Sequence, residues 1–146
     1  MKKENKIGFS LIKIQTEQFA FFEEIFDEKL IVNLNTQIEF KLNFENKIVG
    51  SFIGFTFEQQ ERPFLKIEVS CHFAIENNSL TSFLDTTKLK ISIPKDFLAH
   101  LAMITVGTTR GILFAKTEGT SLNKFIIPTL NVSEMIEGNA EFSTNE

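Results

Sequence analysis

The chain has 146 residues, enough for one domain with a real core, and its 42% hydrophobic and 23% charged content is that of an ordinary soluble protein. A net charge of -4, with no cluster of Lys or Arg beyond Lys2 and Lys3, argues against nucleic acid as a partner, because phosphate binding relies on clustered cations. One cysteine, Cys71, excludes an internal disulfide framework and fits a reducing compartment; with only two histidines it cannot complete a closed zinc site, so no metal is expected.

Seventeen Phe occur without any Tyr or Trp. One sheet face and one helix face do not readily bury so many rings, which predicts that some lie exposed or at interfaces.

Residues 7–24 read as a first strand in which Ile7, Phe9 and Leu11 share one parity and Ile12 and Ile14 the other, which predicts a bulge that turns the apolar side over. From Val32 to Phe44 apolar and polar residues alternate with period two, giving a strand over 31–44. A turn at Glu45-Asn46-Lys47 leads to a third strand over 48–59, where Phe52 breaks the alternation. The run Gln59 to Pro63 is the next turn, and Leu65 to Glu76 alternates again, giving a fourth strand over 64–76 and an antiparallel meander of four. Residues 77–88 read as a loop, and Lys88 to Ile93 as a short extended piece.

Pro94 is placed for the first turn of a long helix, Phe97 to Ala115, whose only strongly polar side chains are His100 and Arg110. At helical spacing Phe97, Leu98, Leu101, Ile104 and Ile112 form a large apolar face, and Ala99, Met103, Gly107, Gly111 and Ala115 form a second ladder of mostly small residues. One sheet buries only one of these faces. The ladder therefore predicts a subunit interface, since small residues let two backbones approach closely; packing on the chain's own loops is the alternative. A membrane span needs about 20 apolar residues. Here Arg110, two glycines and three threonines interrupt the window, with no Trp or Tyr at its ends. With no charged-then-apolar leader before residue 10, the expected location is the cytoplasm.

Beyond the helix, Glu118-Gly119-Thr120-Ser121 breaks the pattern and Phe125-Ile126-Ile127-Pro128 forms an apolar connection. Asn131 followed by Glu134 matches a capping box for a short last helix that Gly138 ends. The polar tail 139–146 is expected to be disordered, and 1–146 to form a single domain.

Four antiparallel strands, a long helix with Arg110-Gly111 inside it, and the segment TEGTSLNKFIIPTLNVSEMI from Thr117 to Ile136 together resemble the SecB-like family of bacterial export chaperones over residues 7–138. The resemblance implies an α+β fold, a four-stranded antiparallel sheet with the long C-terminal helix packed on one face and a short terminal helix. It also implies a homotetramer, a dimer of dimers, that holds unfolded polypeptide in apolar grooves without ATP or a cofactor. By place, the groove would draw on Phe19, Phe21, Phe22 and Phe26 near the first connection, Phe52, Phe55 and Phe57 on the third strand, and Phe125 and Ile126 before the last helix. A translocation motor is a further partner that the resemblance implies for export members, which dock it on an acidic sheet surface. Mixed charge here, Glu39 beside Lys41 and Lys66 beside Glu68, departs from that pattern and favours equally a chaperone dedicated to one client, as in toxin and antitoxin systems.

Chemistry has few candidates. Cys71 and His72 are neighbours in a strand, so their side chains point to opposite faces and do not form a nucleophile and base pair. His100 and Arg110 read as structural, Arg110 as a partner for a carboxylate or helix end. No phosphate loop or Gly-rich dinucleotide turn is present. An oligomeric structural or adaptor protein on the same fold is the alternative to the chaperone, and a small apolar ligand between sheet and helix is a third reading.

Overall fold

The protein is described here as a computed structural model covering residues 6–85, 87 and 89–144; Lys2, Lys3, Lys88 and residues 145–146 lie outside the described residues. Strands β1 (Phe9–Phe21), β2 (Asn33–Asn43), β3 (Ile48–Gln59) and β4 (Arg62–Ile75) form an antiparallel sheet in the order β1-β4-β3-β2. Strands β2 to β4 are hairpin neighbours, as the alternation predicts. The meander fails at β1, which pairs with β4 instead of β2, so the segment 22–32 crosses from one edge of the sheet to the other in the manner of a Greek key. Both ends of that crossover are amphipathic strands, and local pattern carries no information about which distant strand each will join.

Alternation sorts the two faces as expected. Leu34, Ile38 and Leu42 stand opposite Phe57, Ile53 and Val49, and on β4 Leu65, Ile67, Val69, Cys71, Phe73 and Ile75 are all buried on the same side. In β1 the register skips Ile12: Phe9 and Leu11 face Ile75 and Phe73, and Ile14 then faces Cys71. The irregularity expected in the first segment is thus a single displaced residue, and a second shift lies between Thr16 and Gln18.

After β4 come α1 (Asn77–Ser82), β5 (Leu84–Asp85) and β6 (Lys90–Ile93). The expected loop over 77–88 therefore contains a short helix. Its Asn and Ser residues hide it from propensity, and the burial of Leu80 supplies the packing that holds it. Helix α2 (Lys95–Lys116) follows, with Pro94 extended at its N-cap and outside the first turn. It lies across β3 and β4. By length and composition it could span a bilayer, yet its buried stripe is the side laid on its own sheet.

That stripe differs from the expected one. Leu98, Leu101, Ala102, Thr105, Val106, Thr109 and Leu113 are buried, whereas Ile104 and Ile112 are half-buried on the flank. Two threonines belong to it because each hydroxyl donates to the carbonyl four residues back, Thr105 to Leu101 at 2.8 Å and Thr109 to Thr105 at 2.6 Å; so satisfied, Thr packs like Val. Helix α3 (Val132–Met135) opens with Asn131 accepting from the Glu134 amide at 3.4 Å, the expected cap, but it ends at Met135, before Gly138. The tail also departs from expectation: β7 (Ala140–Ser143) pairs with β6 and completes a second, three-stranded sheet β5-β6-β7. A four-residue polar strand has no legible signature when its partner lies some fifty residues upstream.

Candidate functional site

The apolar side chains gather at the end of the sheet where β1 stops. There the crossover 22–32 meets the connection 117–131 over the ring of Phe64. Phe64 touches Phe26 and Phe125 with ring centroids 5.1 Å apart in each case, and Phe57 joins Phe125 at 5.6 Å. Lys124 lies over Phe26 and Phe125 at 4.7 and 5.6 Å, the charge resting on the ring faces.

Polar bonds hold this end in place. The backbone N–H of Phe22 donates to Phe64 O at 2.8 Å. Buried Gln59 ties the crossover to the β3–β4 turn: its side-chain amide donates to the carbonyls of Asp27 and Leu30, and its carbonyl accepts from the Asp27 N–H. Ser121 N–H donates to Glu23, and Lys124 pairs with Glu28 at 3.2 Å. Arg110 fixes the Pro-bearing connection, donating from Nε to Ile127 O at 2.7 Å and from Nη2 to Pro128 O at 2.8 Å. Its partner is therefore an irregular segment's carbonyls, neither the carboxylate nor the helix end that an apolar helix suggested.

The nine expected groove residues divide. Phe55 and Phe57 are 0% and 5% exposed and belong to the core beneath α2; strand parity gave their face correctly, and the depth of cover over that face was illegible. Phe52 points to the opposite side of the sheet, packed edge-on to His72 at 5.6 Å under Lys41. Phe19, Phe26 and Phe125 are half-buried, while Phe21, Phe22 (45% exposed) and Ile126 (60%) are open to solvent. Sequence reasoning passed over Phe64, the buried ring at the centre, because it follows a turn proline and shares the core with its neighbour Leu65, against alternation.

Of the expected interface ladder, Ala99 is buried against the core, and Met103, Gly107, Gly111 and Ala115 are exposed on the outer side of α2. A side chain at Gly107 or Gly111 would meet nothing within 4 Å. Phe114, exposed and at the same helical spacing, extends this face and could have been found from that spacing. Phe97 and His100 against Phe9, at 5.4 and 5.6 Å, and Lys116 over Phe19 at 5.3 Å tie α2 to β1. Between them Leu11 and Ile14, on the core side of β1, remain exposed.

On the outer sheet face Ser70 donates to Glu17 at 2.7 Å and lies 3.0 Å from His72 Nε2. The serine proton is committed to the carboxylate, so Nε2–H donates to Ser70 and His72 does not act as its base; a nucleophile pair would need the reverse. Burial and then Lys13 lower the His72 pKa, with Glu17 opposing. Cys71 is buried on the other face. Among the described residues no three His, Cys, Asp or Glu side chains come together as a metal site would require.

No protein-family model and no curated protein matches the chain. Among solved structures it is similar to a Mycobacterium tuberculosis SecB-like chaperone in complex with a ChAD peptide from an antitoxin, at 12% identity over 86% of this chain and 90% of that one, with a TM-score of 0.40. This is a remote likeness.

Proposed function

We propose that the chain is an ATP-independent holdase that binds unfolded or partly folded polypeptide. The observation that carries this reading is apolar surface at the end of the sheet: exposed Phe21 and Phe22 where β1 stops, Phe22 bonded to the Phe64 carbonyl, and exposed Ile126 next to Phe125 of the packed rings Phe26, Phe64 and Phe125. Such a surface takes apolar side chains of an extended segment with little demand on sequence. The working form is an oligomer, a tetramer on the plan that the sequence resemblance implies, assembled through the outer face of α2 and the uncovered middle of β1. Its place is the cytoplasm, and its clients are either chains awaiting export, with a translocation motor as receiver, or one dedicated partner.

Burial of Phe55 and Phe57 favours a second reading, in which the rings are consumed by the core and by subunit contacts and the oligomer is a structural or adaptor protein. A fluorescently labelled, permanently unfolded polypeptide separates the two, with native masses of free protein and complex read by light scattering. Binding by an oligomer, weakened by Phe22→Ser and Ile126→Ser without loss of folding, supports the holdase. A folded oligomer that ignores unfolded chain leaves the adaptor.

A further inference from the structure

The sheet face turned away from α2 carries a depression of about 350 Å³ to which all four strands contribute. Lys13 and Ile12 come from β1, Lys41 from β2, Gly50 and Phe52 from β3, and His72 from β4. Gly50 keeps it open: a Cβ there would stand 2.8 Å from the Phe52 ring and 3.4 Å from His72 Nδ1, pushing the ring into the space. The same geometry sets Nδ1 beside Gly50, while Nε2 is held by Ser70.

The charge is one-sided. Lys13 and Lys41 line the depression with His72 and no described carboxylate does; Glu17, which acts on His72, is engaged by the Ser70 hydroxyl. Glu39 and Glu68 line a separate depression on the far side of Phe52. Phe52 and Ile12 supply apolar wall, and Lys41 Nζ stands 4.5 Å from the Phe52 ring centroid. Backbone N–H groups in the paired interior of a sheet are consumed by the ladder, so the site has neither the amide nest nor the Arg fork by which phosphates are held. Two lysines and an aromatic wall suit a single negative charge on an apolar body.

We propose that this depression is a binding site for a small apolar monocarboxylate, with the carboxylate between Lys13 and Lys41 and the body against Phe52, Ile12 and the His72 ring. The site stands apart from the surface assigned to clients, so neither assignment depends on the other.

The test is titration of the full chain with 3-phenylpropionate, followed by 1H–15N NMR, against the uncharged 3-phenylpropionamide. Expected are saturable shifts at Gly50, Phe52 and His72 with a Kd of about 1 mM or tighter, and no comparable binding of the amide. His72 should titrate at higher pH in the complex, since the bound anion opposes Lys13. Lys13→Gln with Lys41→Gln should weaken binding about tenfold, and Lys66→Gln, on the same face outside the depression, should leave it unchanged. Absence of saturable shifts, or an amide that binds as well as the acid, overturns the proposal without any variant being needed. A peptide ending in a free Phe carboxylate that binds more tightly than 3-phenylpropionate would also overturn it, in favour of a chain terminus as ligand.

Discussion

Phe57 and Phe22 are rings of the same type in opposite situations. Phe57→Ser removes a buried ring and leaves a hydroxyl in its cavity, so the free energy of unfolding in urea should fall by about 3–5 kcal/mol. Phe22→Ser, at a half-exposed position, should cost under about 1 kcal/mol by the same measurement. His72 gives a pH signature. Its folded pKa lies below its ordinary value of 6.5, so the unfolded chain takes up the proton first and stability declines as pH falls through 6.5 toward the folded value. A thermal unfolding series between pH 7.5 and 5.5 should therefore show a smaller loss in His72→Gln than in the parent protein. These differences were legible in part. Alternation assigns Phe57 to the core side, but a strand carries no mark of what will cover it, and Gln59 reads as a turn residue although its buried amide organises the crossover.

Among the elements, the β3–β4 hairpin carries visible backbone strain. Gln59 pairs with Arg62, leaving a two-residue loop in which Gln60 and Glu61 have φ of 50° and 62°. That is the left-handed conformation which two-residue hairpin turns require and which Asn-Gly meets at least cost. Glu61→Gly should raise stability by about 0.5–1 kcal/mol, seen as a Tm higher by about 2–4 °C in a calorimetric scan. A lower Tm would mean that the Glu61 side chain contributes more than its backbone costs. Elements with one solvated face were the legible ones: β2, β3 and β4 declare themselves by period, and α2 by its length. α1, β7 and the position of β1 depend on partners distant in sequence, and their residues record nothing of those partners. Thr105 and Thr109 were absent from the expected apolar face for a different reason: their hydroxyls are satisfied within the helix, so polarity did not signal exposure.

At the scale of the whole molecule, the sheet covers one side of α2 and leaves the other bare. Met103, 61% exposed, Gly107, Gly111 and Phe114 lie on that bare side, and the middle of β1 is uncovered beside an unpaired sheet edge. If α2 joins the dimers, Gly107→Leu or Gly111→Leu should reduce the native mass in light scattering from that of the tetramer to that of the pair held through β1. The circular dichroism of the sheet should be unchanged, because each new side chain enters open space in the isolated chain and replaces a poor helix former. A variant that keeps the parent mass would place the interface elsewhere. The two functional surfaces proposed lie apart, the aromatic rim at the end of the sheet and the cationic depression on its far face. Substitutions at one can thus be made without altering the other.

Gln59 links two regions that would otherwise open separately. Its three hydrogen bonds close only when the tip of the β3–β4 hairpin and the crossover are both in place. The crossover cannot then lift away by itself: releasing Asp27 and Leu30 from the sheet also strips a buried amide of its partners. Solvent exchange at the Asp27 amide, in an outwardly exposed stretch of chain, should therefore be slower than at its unbonded neighbours.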